Sequence, residues 1–242
     1  MREELEGKVA LVTGGGRGLG EAICRTLSES KVKVVIADYV REAAQKVAES
    51  LLQRNHSASS IELDVSDAVA VEDSIKRVAS EYGGIDILVN NAGTDLTVPV
   101  EDMPIEEWNR IIGTNLTGPF LMTRSILPLM KEKKSGSIVN IVSTAAKRTW
   151  PNASAYHASK WGLLGFSHAM HVEGRPYGVK VTAVVTGGMR TRFLLDRFPD
   201  IDVSTLQDPM NVAETVKFVL TQPEACVVPE VLVMPMKESS WP

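Results

Sequence analysis

The chain has 242 residues, 44% of them hydrophobic, and a formal net charge of −4. These numbers allow a substantial core and, with no basic excess, argue against a nucleic-acid or anionic-membrane partner; the short run Lys131-Glu132-Lys133-Lys134 reads as a solvated helix end. The opening Met1-Arg2-Glu3-Glu4-Leu5-Glu6 lacks the apolar stretch of a secretory signal, no run approaches the ~20 apolar residues of a membrane span, and Cys24 and Cys226 lie far apart without metal-type spacing, so a cytoplasmic protein with no metal is expected.

Short β-branched runs alternate with longer amphipathic stretches, the rhythm of a parallel sheet wrapped by helices. A first strand over residues 8–13 runs into Thr13-Gly14-Gly15-Gly16-Arg17-Gly18-Leu19-Gly20 and a helix over 18–29. In that arrangement backbone amides and a helix N-terminus receive a phosphate. A side chain at Gly14 or Gly18 would obstruct the turn or an approaching pyrophosphate, and one at Gly20 would push the helix off the sheet. The spacing T-G-x-x-x-G-x-G matches neither G-x-G-x-x-G nor the Walker pattern. A second strand, 32–37, delivers Asp38 eighteen residues past Gly20, where the adenosine ribose of a bound dinucleotide would lie. Its carboxylate can accept from both ribose hydroxyls of NAD and repels the extra phosphate of NADP; a charge-assisted bond of ~1.5–3 kcal/mol corresponds to a preference of roughly ten- to a hundredfold. Arg17 and Arg41 act in the other direction without replacing the carboxylate, so NAD is expected ahead of NADP.

A helix over 41–54 follows, its apolar stripe formed by Val40, Ala43, Ala44, Val47, Ala48, Leu51 and Leu52. Next come a strand at 60–63 leading into Asp64-Val65, a helix at 67–82, and a strand at 85–90 ending in Asn90-Asn91-Ala92-Gly93. A long helix over 105–131 carries Asn115 and precedes a strand at 137–143 that closes on Ser143. The helix over 153–175 holds Tyr156 and Lys160, and it is followed by a strand at 179–185, a helix at 211–221 and a strand at 228–233. No Pro-, Gly- or Ser-rich linker and no internal repeat interrupts this order. One doubly wound domain over 1–242 is expected, with a substrate loop at about 187–210.

Tyr156 and Lys160 stand four apart, so a phenol and an amine face the same way about one turn (~6 Å) apart. A tyrosine in water ionises near ~10, and a neighbouring ammonium favours the phenolate, so the pair reads as an acid/base unit. Tyrosine and lysine at this spacing also occur on solvated helix faces, and the rest of the chain has to supply the context.

Thr13-Gly14 with Gly18 and Gly20, Leu63-Asp64-Val65, Asn90-Asn91-Ala92-Gly93, Asn115, Ser143, and Tyr156 with Lys160 occur in order over nearly the whole chain. In this the sequence resembles the short-chain dehydrogenase/reductase family, in the branch that includes the β-ketoacyl carrier-protein reductases. The resemblance implies a Rossmann-type α/β fold, a seven-stranded parallel sheet with helices on both faces. It also implies an NAD- or NADP-dependent oxidoreductase that interconverts a small-molecule carbonyl and its alcohol by hydride transfer at nicotinamide C4. Ser143 would bond the substrate oxygen with which Tyr156 exchanges a proton, and Lys160 would bond the nicotinamide ribose and lower the tyrosine pKa. Asn115 would hold a water that relays protons from Lys160. Asp64 and Val65 would meet the adenine, while Asn91, Ala92 and Gly93 would brace the cofactor, alongside Gly14, Arg17, Gly18, Leu19, Gly20 and Asp38. A homo-oligomer, dimer or tetramer, is expected through the crossover helix and the helix carrying Tyr156.

Two departures stand out. Relatives commonly carry Pro-Gly after the sixth strand, where this chain has Thr186-Gly187-Gly188-Met189-Arg190-Thr191; Gly187 and Thr191 remain in place, with Thr191 expected to reach the nicotinamide carboxamide. The C-terminus, Lys237-Glu238-Ser239-Ser240-Trp241-Pro242, replaces the family's Asp-Gly-Gly ending, in a region that helps build one dimer interface. His168 and His171, three apart, read as packing residues. Lys147, Arg148, Trp150, Arg190 and Arg192 would either attract an anionic substrate or be solvated, and Met189, Phe193, Leu194 and Leu195 would form a lid or a short packed helix. A dinucleotide-sensing regulator without chemistry is the competing class, and the retained Asn115, Ser143, Tyr156 and Lys160 argue against it. The substrate is left open among β-ketoacyl thioesters, sugars or polyols, hydroxy or amino acids and small ketones.

Overall fold

The computed structural model describes residues 4–238. Seven strands, β1 (Val9–Thr13), β2 (Lys33–Asp38), β3 (Ala58–Glu62), β4 (Ile87–Asn90), β5 (Gly136–Ser143), β6 (Val179–Thr186) and β7 (Glu230–Val233), pair in parallel in the order β3-β2-β1-β4-β5-β6-β7. Around them lie α1 (Gly18–Glu29), α2 (Arg41–Leu52), α3 (Ala68–Tyr82), α4 (Ile105–Ile112), α5 (Gly118–Lys133), α6 (Ser154–Gly174), α7 (Arg192–Leu195) and α8 (Pro209–Leu220).

Alternate residues of each strand feed two cores. Ala10 and Val12 of β1 pack with Ile23 and Leu27 of α1, Val47 and Leu51 of α2 and Val216 of α8. Leu11 points the other way, toward Ile75 of α3 and Met122 and Ile126 of α5. On that second face Ala183 and Val185 of β6 meet Leu163 and Leu164 of α6. With helices on both faces, both sets of side chains are mostly apolar, and β1, β2, β4 and β6 are rich in Val, Ile and Leu.

Element ends differ from the sequence expectations where a single group intervenes. The helix expected over 41–54 stops at Leu52, because Asn55 takes a left-handed conformation (φ 61°) and the His56 amide turns back to the Leu51 carbonyl. β7 begins at Glu230 rather than 228, since Pro229 has no N–H to give the ladder. β3 begins earlier, at Ala58, where pairing with Val34 of β2 overrides the weak β-preference of Ala-Ser-Ser. Asp67 is the cap of α3, its carboxylate accepting from the amides of Val69 and Ala70 at 2.9 and 3.1 Å.

The largest correction concerns the helix expected over 105–131. It is broken by a π-helical turn, Gly113–Thr117, between α4 and α5. Pro119 cannot donate to the carbonyl of Asn115, and the Gly118 amide reaches back to the Gly113 carbonyl, one residue further than an α-helical bond. No helix among the described residues is long and apolar enough to cross a membrane. Met1–Glu3 and the Ser239–Pro242 ending lie outside the described residues.

Candidate active site

Strand order reverses between β1 and β4, and the carboxyl ends of the strands part there. The resulting cleft, about 750 Å³, runs from Asp38, Asp64 and Val65 past Gly14, Arg17, Gly18, Leu19 and Gly20 to Asn91–Gly93, Tyr156, Lys160 and Thr191. Thus nearly all of the residues singled out from the sequence converge on one surface, although they come from opposite halves of the chain.

Thr13 and Asn91 tie the two halves together. The Thr13 hydroxyl accepts from the amides of Asn91 and Ala92, each at 3.1 Å, and the Asn91 side chain donates to the carbonyls of Thr13 and Gly14, each at 3.0 Å. The Asn-Asn-Ala-Gly motif therefore braces the glycine turn itself. Gly14 sits at φ 61° with the Ala92 backbone 2.8 Å from where a Cβ would be, and a Cβ on Gly20 would collide with the Gly14 carbonyl. No side chain caps α1, so its first amides are available to an anion. This bare turn, closed by backbone and facing an uncapped helix, fits a dinucleotide pyrophosphate. Asp38 is held open to the cleft at the end of β2: Oδ2 accepts from the Gly16 amide and Oδ1 from the Val40 amide, both at 2.9 Å. Asp64 accepts from the amide and hydroxyl of Ser66, at 2.8 and 2.6 Å, which fixes the loop after β3.

At the other end of the cleft Ser143 closes β5, and its hydroxyl accepts from the Ala145 amide at 3.1 Å and lies beside the Tyr156 phenol. The Lys160 ammonium lies 5.7 Å from the centre of the Tyr156 ring and donates to the Ile141 carbonyl at 2.9 Å. Asn115, fully buried on the π turn, pairs with the amide and carbonyl of Thr94, both at 2.8 Å, and donates to the Ser159 hydroxyl at 3.0 Å. It thereby holds the loop after β4 against α6. Thr191 faces Gly18 across the cleft, its Cγ2 3.4 Å from where a Gly18 Cβ would stand.

The electrostatics differ from the simple expectation that Lys160 draws the tyrosine down. Burial is the larger influence: it pushes the Tyr156 pKa up to about 12, the Ser143 hydroxyl pulls it back, Asp95 adds to the rise and Arg197 opposes it. Burial also brings Lys160 down to about 8, against the opposing charge of Asp95. At neutral pH the phenol keeps its proton, which suits donation to a carbonyl oxygen.

Gly187 is the exception among the expected cofactor residues. It packs against Pro235 beside Glu238, whose carboxylate accepts from the Gly188 amide at 2.7 Å, and it is not part of the cleft wall. Arg190 and Arg192 do line the cleft. Lys147 and His168 instead share Glu230, at 2.7 and 3.0 Å. His157 braces the loop after Ser143: Nδ1 bonds the Ala145 carbonyl at 2.9 Å and Nε2 accepts from the Trp150 amide at 3.1 Å. Phe193 of α7 approaches Tyr156 with ring centres 6.0 Å apart, so the Met189–Leu195 segment reaches over the site. Asp95 and Arg197 were missed altogether, because neither belongs to a spaced motif and only the folded chain brings them to Tyr156.

The sequence matches the short chain dehydrogenase family over residues 8–202. An uncharacterized oxidoreductase of Thermotoga maritima is 38% identical over 77% of this chain and 73% of its own length. One from Staphylococcus aureus is 34% identical over 96% and 99%. Among solved structures, a metagenomic short-chain oxidoreductase in complex with NADP superposes with a TM-score of 0.86 at 32% identity, covering 97% of this chain and 99% of that one. An alcohol dehydrogenase from Thermococcus sibiricus complexed with 5-hydroxy-NADP gives 0.88 at 27% identity, covering 96% and 97%. With the seven-stranded parallel sheet and the cleft at its switch point, these matches establish that the chain belongs to the short-chain dehydrogenase family and is an oxidoreductase of that family.

Proposed function

We propose that this protein interconverts a ketone and a secondary alcohol with a nicotinamide dinucleotide, Tyr156 acting as the general acid/base. The observation that carries this reading is that the Tyr156 phenol, beside the Ser143 hydroxyl, stands at the end of a cleft that begins at the glycine turn, with Lys160 on the same wall. The bound nicotinamide supplies or accepts the hydride. Ser143 and Tyr156 orient the substrate oxygen and polarise its carbonyl. In reduction the phenol gives its proton to that oxygen; in oxidation the phenolate removes it. Lys160, which lines the cleft, would bond the nicotinamide ribose and carry charge toward Tyr156, and Asn115 fixes the loop after β4. Asp38, Asp64 and Val65 are assigned to the adenosine half, Gly14 to Gly20 to the pyrophosphate, and Thr191 to the carboxamide.

Asp38 supports NAD as the preferred cofactor, for the charge reason given above. Arg17 and Tyr39 beside it in the cleft, and the NADP found in two similar structures, favour the second reading, an NADPH-dependent reductase such as a 3-oxoacyl carrier-protein reductase. A homo-oligomer is supported by exposed Phe120 of α5 and Trp161 of α6, with Phe120 edge-on to Phe166 at 6.2 Å.

Tyr156→Phe tests the assignment. The expected outcome is a fall of about 10²–10⁴ in kcat on any ketone or alcohol the wild type accepts, with NADH binding retained by fluorescence titration. A variant that keeps most of its turnover refutes the role, and the regulator reading then gains.

A further inference from the structure

Strand β6 ends at Thr186, and the loop that follows starts on two adjacent glycines, Gly187 and Gly188. Such a root has no side chain to pack and more backbone freedom than any other pair of residues. The segment it carries works only in a fixed place. Thr191 faces Gly18 across the cleft, Met189, Arg192 and Phe193 line it, and the Phe193 ring stands 6.0 Å from that of Tyr156.

Backbone bonds fasten the two feet of the loop to each other: the Gln207 amide donates to the Gly188 carbonyl at 3.1 Å and the Arg190 amide to the Gln207 carbonyl at 2.9 Å. This pairing shapes the base, and what the base rests on decides where the loop stands. It rests on the C-terminal segment. The Gly187 amide and the Gln207 side chain both donate to the Val233 carbonyl at the end of β7, at 2.9 and 3.2 Å. Beyond β7 the chain turns, the Glu238 amide returning to the Pro235 carbonyl at 3.1 Å, and the Glu238 carboxylate accepts from the Gly188 amide at 2.7 Å. The fit is close: a Cβ on Gly187 would stand 2.7 Å from Pro235 Cδ and 2.9 Å from Glu238 Oε2, and one on Gly188 would stand 3.3 Å from that oxygen. The glycines admit the carboxylate to the backbone, and the carboxylate supplies the charge-assisted bond that the bare root otherwise lacks.

We propose that Glu238 is a positioning residue of this site: by holding the Gly188 amide it sets Thr191 and Phe193 against the nicotinamide end of the cleft. The inference rests on the nicotinamide-dependent reading above. Glu238 is not part of the cleft wall, so it acts through the loop. Its influence falls on the nicotinamide half of the cofactor and leaves the adenosine half, at Asp38 and Asp64, untouched.

Glu238→Ala, Glu238→Gln and Glu238→Asp in the full-length protein test it. Glutamine keeps an acceptor at the same reach without the charge, and aspartate keeps the charge without the reach. One readout is the rate of trypsin cleavage after Arg190, Arg192 and Arg197, followed by mass spectrometry well below the melting temperature. The other is the Kd for NADH by fluorescence against the Kd for AMP by calorimetry. The alanine and aspartate variants are expected to be cut in the loop about fivefold faster or more, and to bind NADH about fivefold more weakly or worse, with AMP binding unchanged. Glutamine is expected to recover most of both losses. If Glu238→Ala does not fold, the aspartate and glutamine variants carry the same comparison. Equal weakening of NADH and AMP means a general loosening of the fold and overturns the proposal, as does unchanged loop cleavage or a glutamine variant no better than aspartate. A wild type that binds NADH no differently from the variants sinks this inference alone. A wild type with no affinity for NADH or NADPH sinks the cofactor reading as well.

Discussion

Lys160 keeps an amine at 5% exposure, and among the described residues the Ile141 carbonyl is the one atom it bonds. Such a group is retained at a cost to the fold. Its pKa in the folded chain is lowered to about 8 from 10.5, so between those values the unfolded chain binds more protons and stability rises with pH. Below about 8 the penalty is fully present. Lys160→Met, of similar volume, removes the titration, and urea unfolding of both proteins across pH 7–10.5 is the measurement. The wild type is expected to gain on the variant by on the order of 2–3 kcal/mol over that window. A constant difference would mean that Lys160 titrates in the folded protein as it does in water. The spacing of Tyr156 and Lys160 was legible in the sequence because one helical turn is a local property. The direction of their pKa shifts was not, because it depends on how deeply β5, α6 and the loop after β4 bury them together.

At the scale of elements, the break between α4 and α5 decides where Asn115 stands. Gly113 and Pro119 were both visible in the sequence, yet apolar periodicity continues across them, and the stretch reads as one helix. The π turn makes room for a fully buried asparagine that replaces a backbone partner for both polar groups of Thr94. Asn115→Ala leaves those groups and the Ser159 hydroxyl without this partner. A loss of about 2–4 kcal/mol in equilibrium unfolding is expected, together with reduced turnover as the loop after β4 loosens. A similar tie is made by Asn90, Asn140 and Ser167, which run from β4 through β5 to α6 at 2.8 and 2.9 Å. Single asparagines in strands give no sequence signal for such a chain, since their partners are fixed only by strand order.

Over the whole molecule, the cleft joins residues from β1 to the loop after β6, so ligand binding is expected to stabilise the fold as a unit. At a hundred times its Kd a cofactor adds about 2.7 kcal/mol, or roughly 5–10 °C in Tm for a chain of this size. The charge at Asp38 predicts a larger upward shift with NADH than with NADPH at equal concentration, and Asp38→Ala should narrow or reverse the difference. Equal shifts, or a larger one with NADPH, would remove the argument for NAD. Thermal unfolding also separates this question from catalysis, because it needs no substrate.

The alternation of strand and helix, the glycine turn, the acid at the end of β2 and the Tyr156-Lys160 spacing are local patterns, and each follows from one stretch of chain. They were enough to determine the fold class and the kind of cofactor site. The tertiary structure alone decided how Thr13 and Asn91 lock two distant turns together, why Gly187 leaves the cleft for the C-terminal segment, and that Asp95 and Arg197 meet beside Tyr156. Those contacts join residues tens to a hundred positions apart, and their energies arise from burial and from partners that no spacing along the chain records.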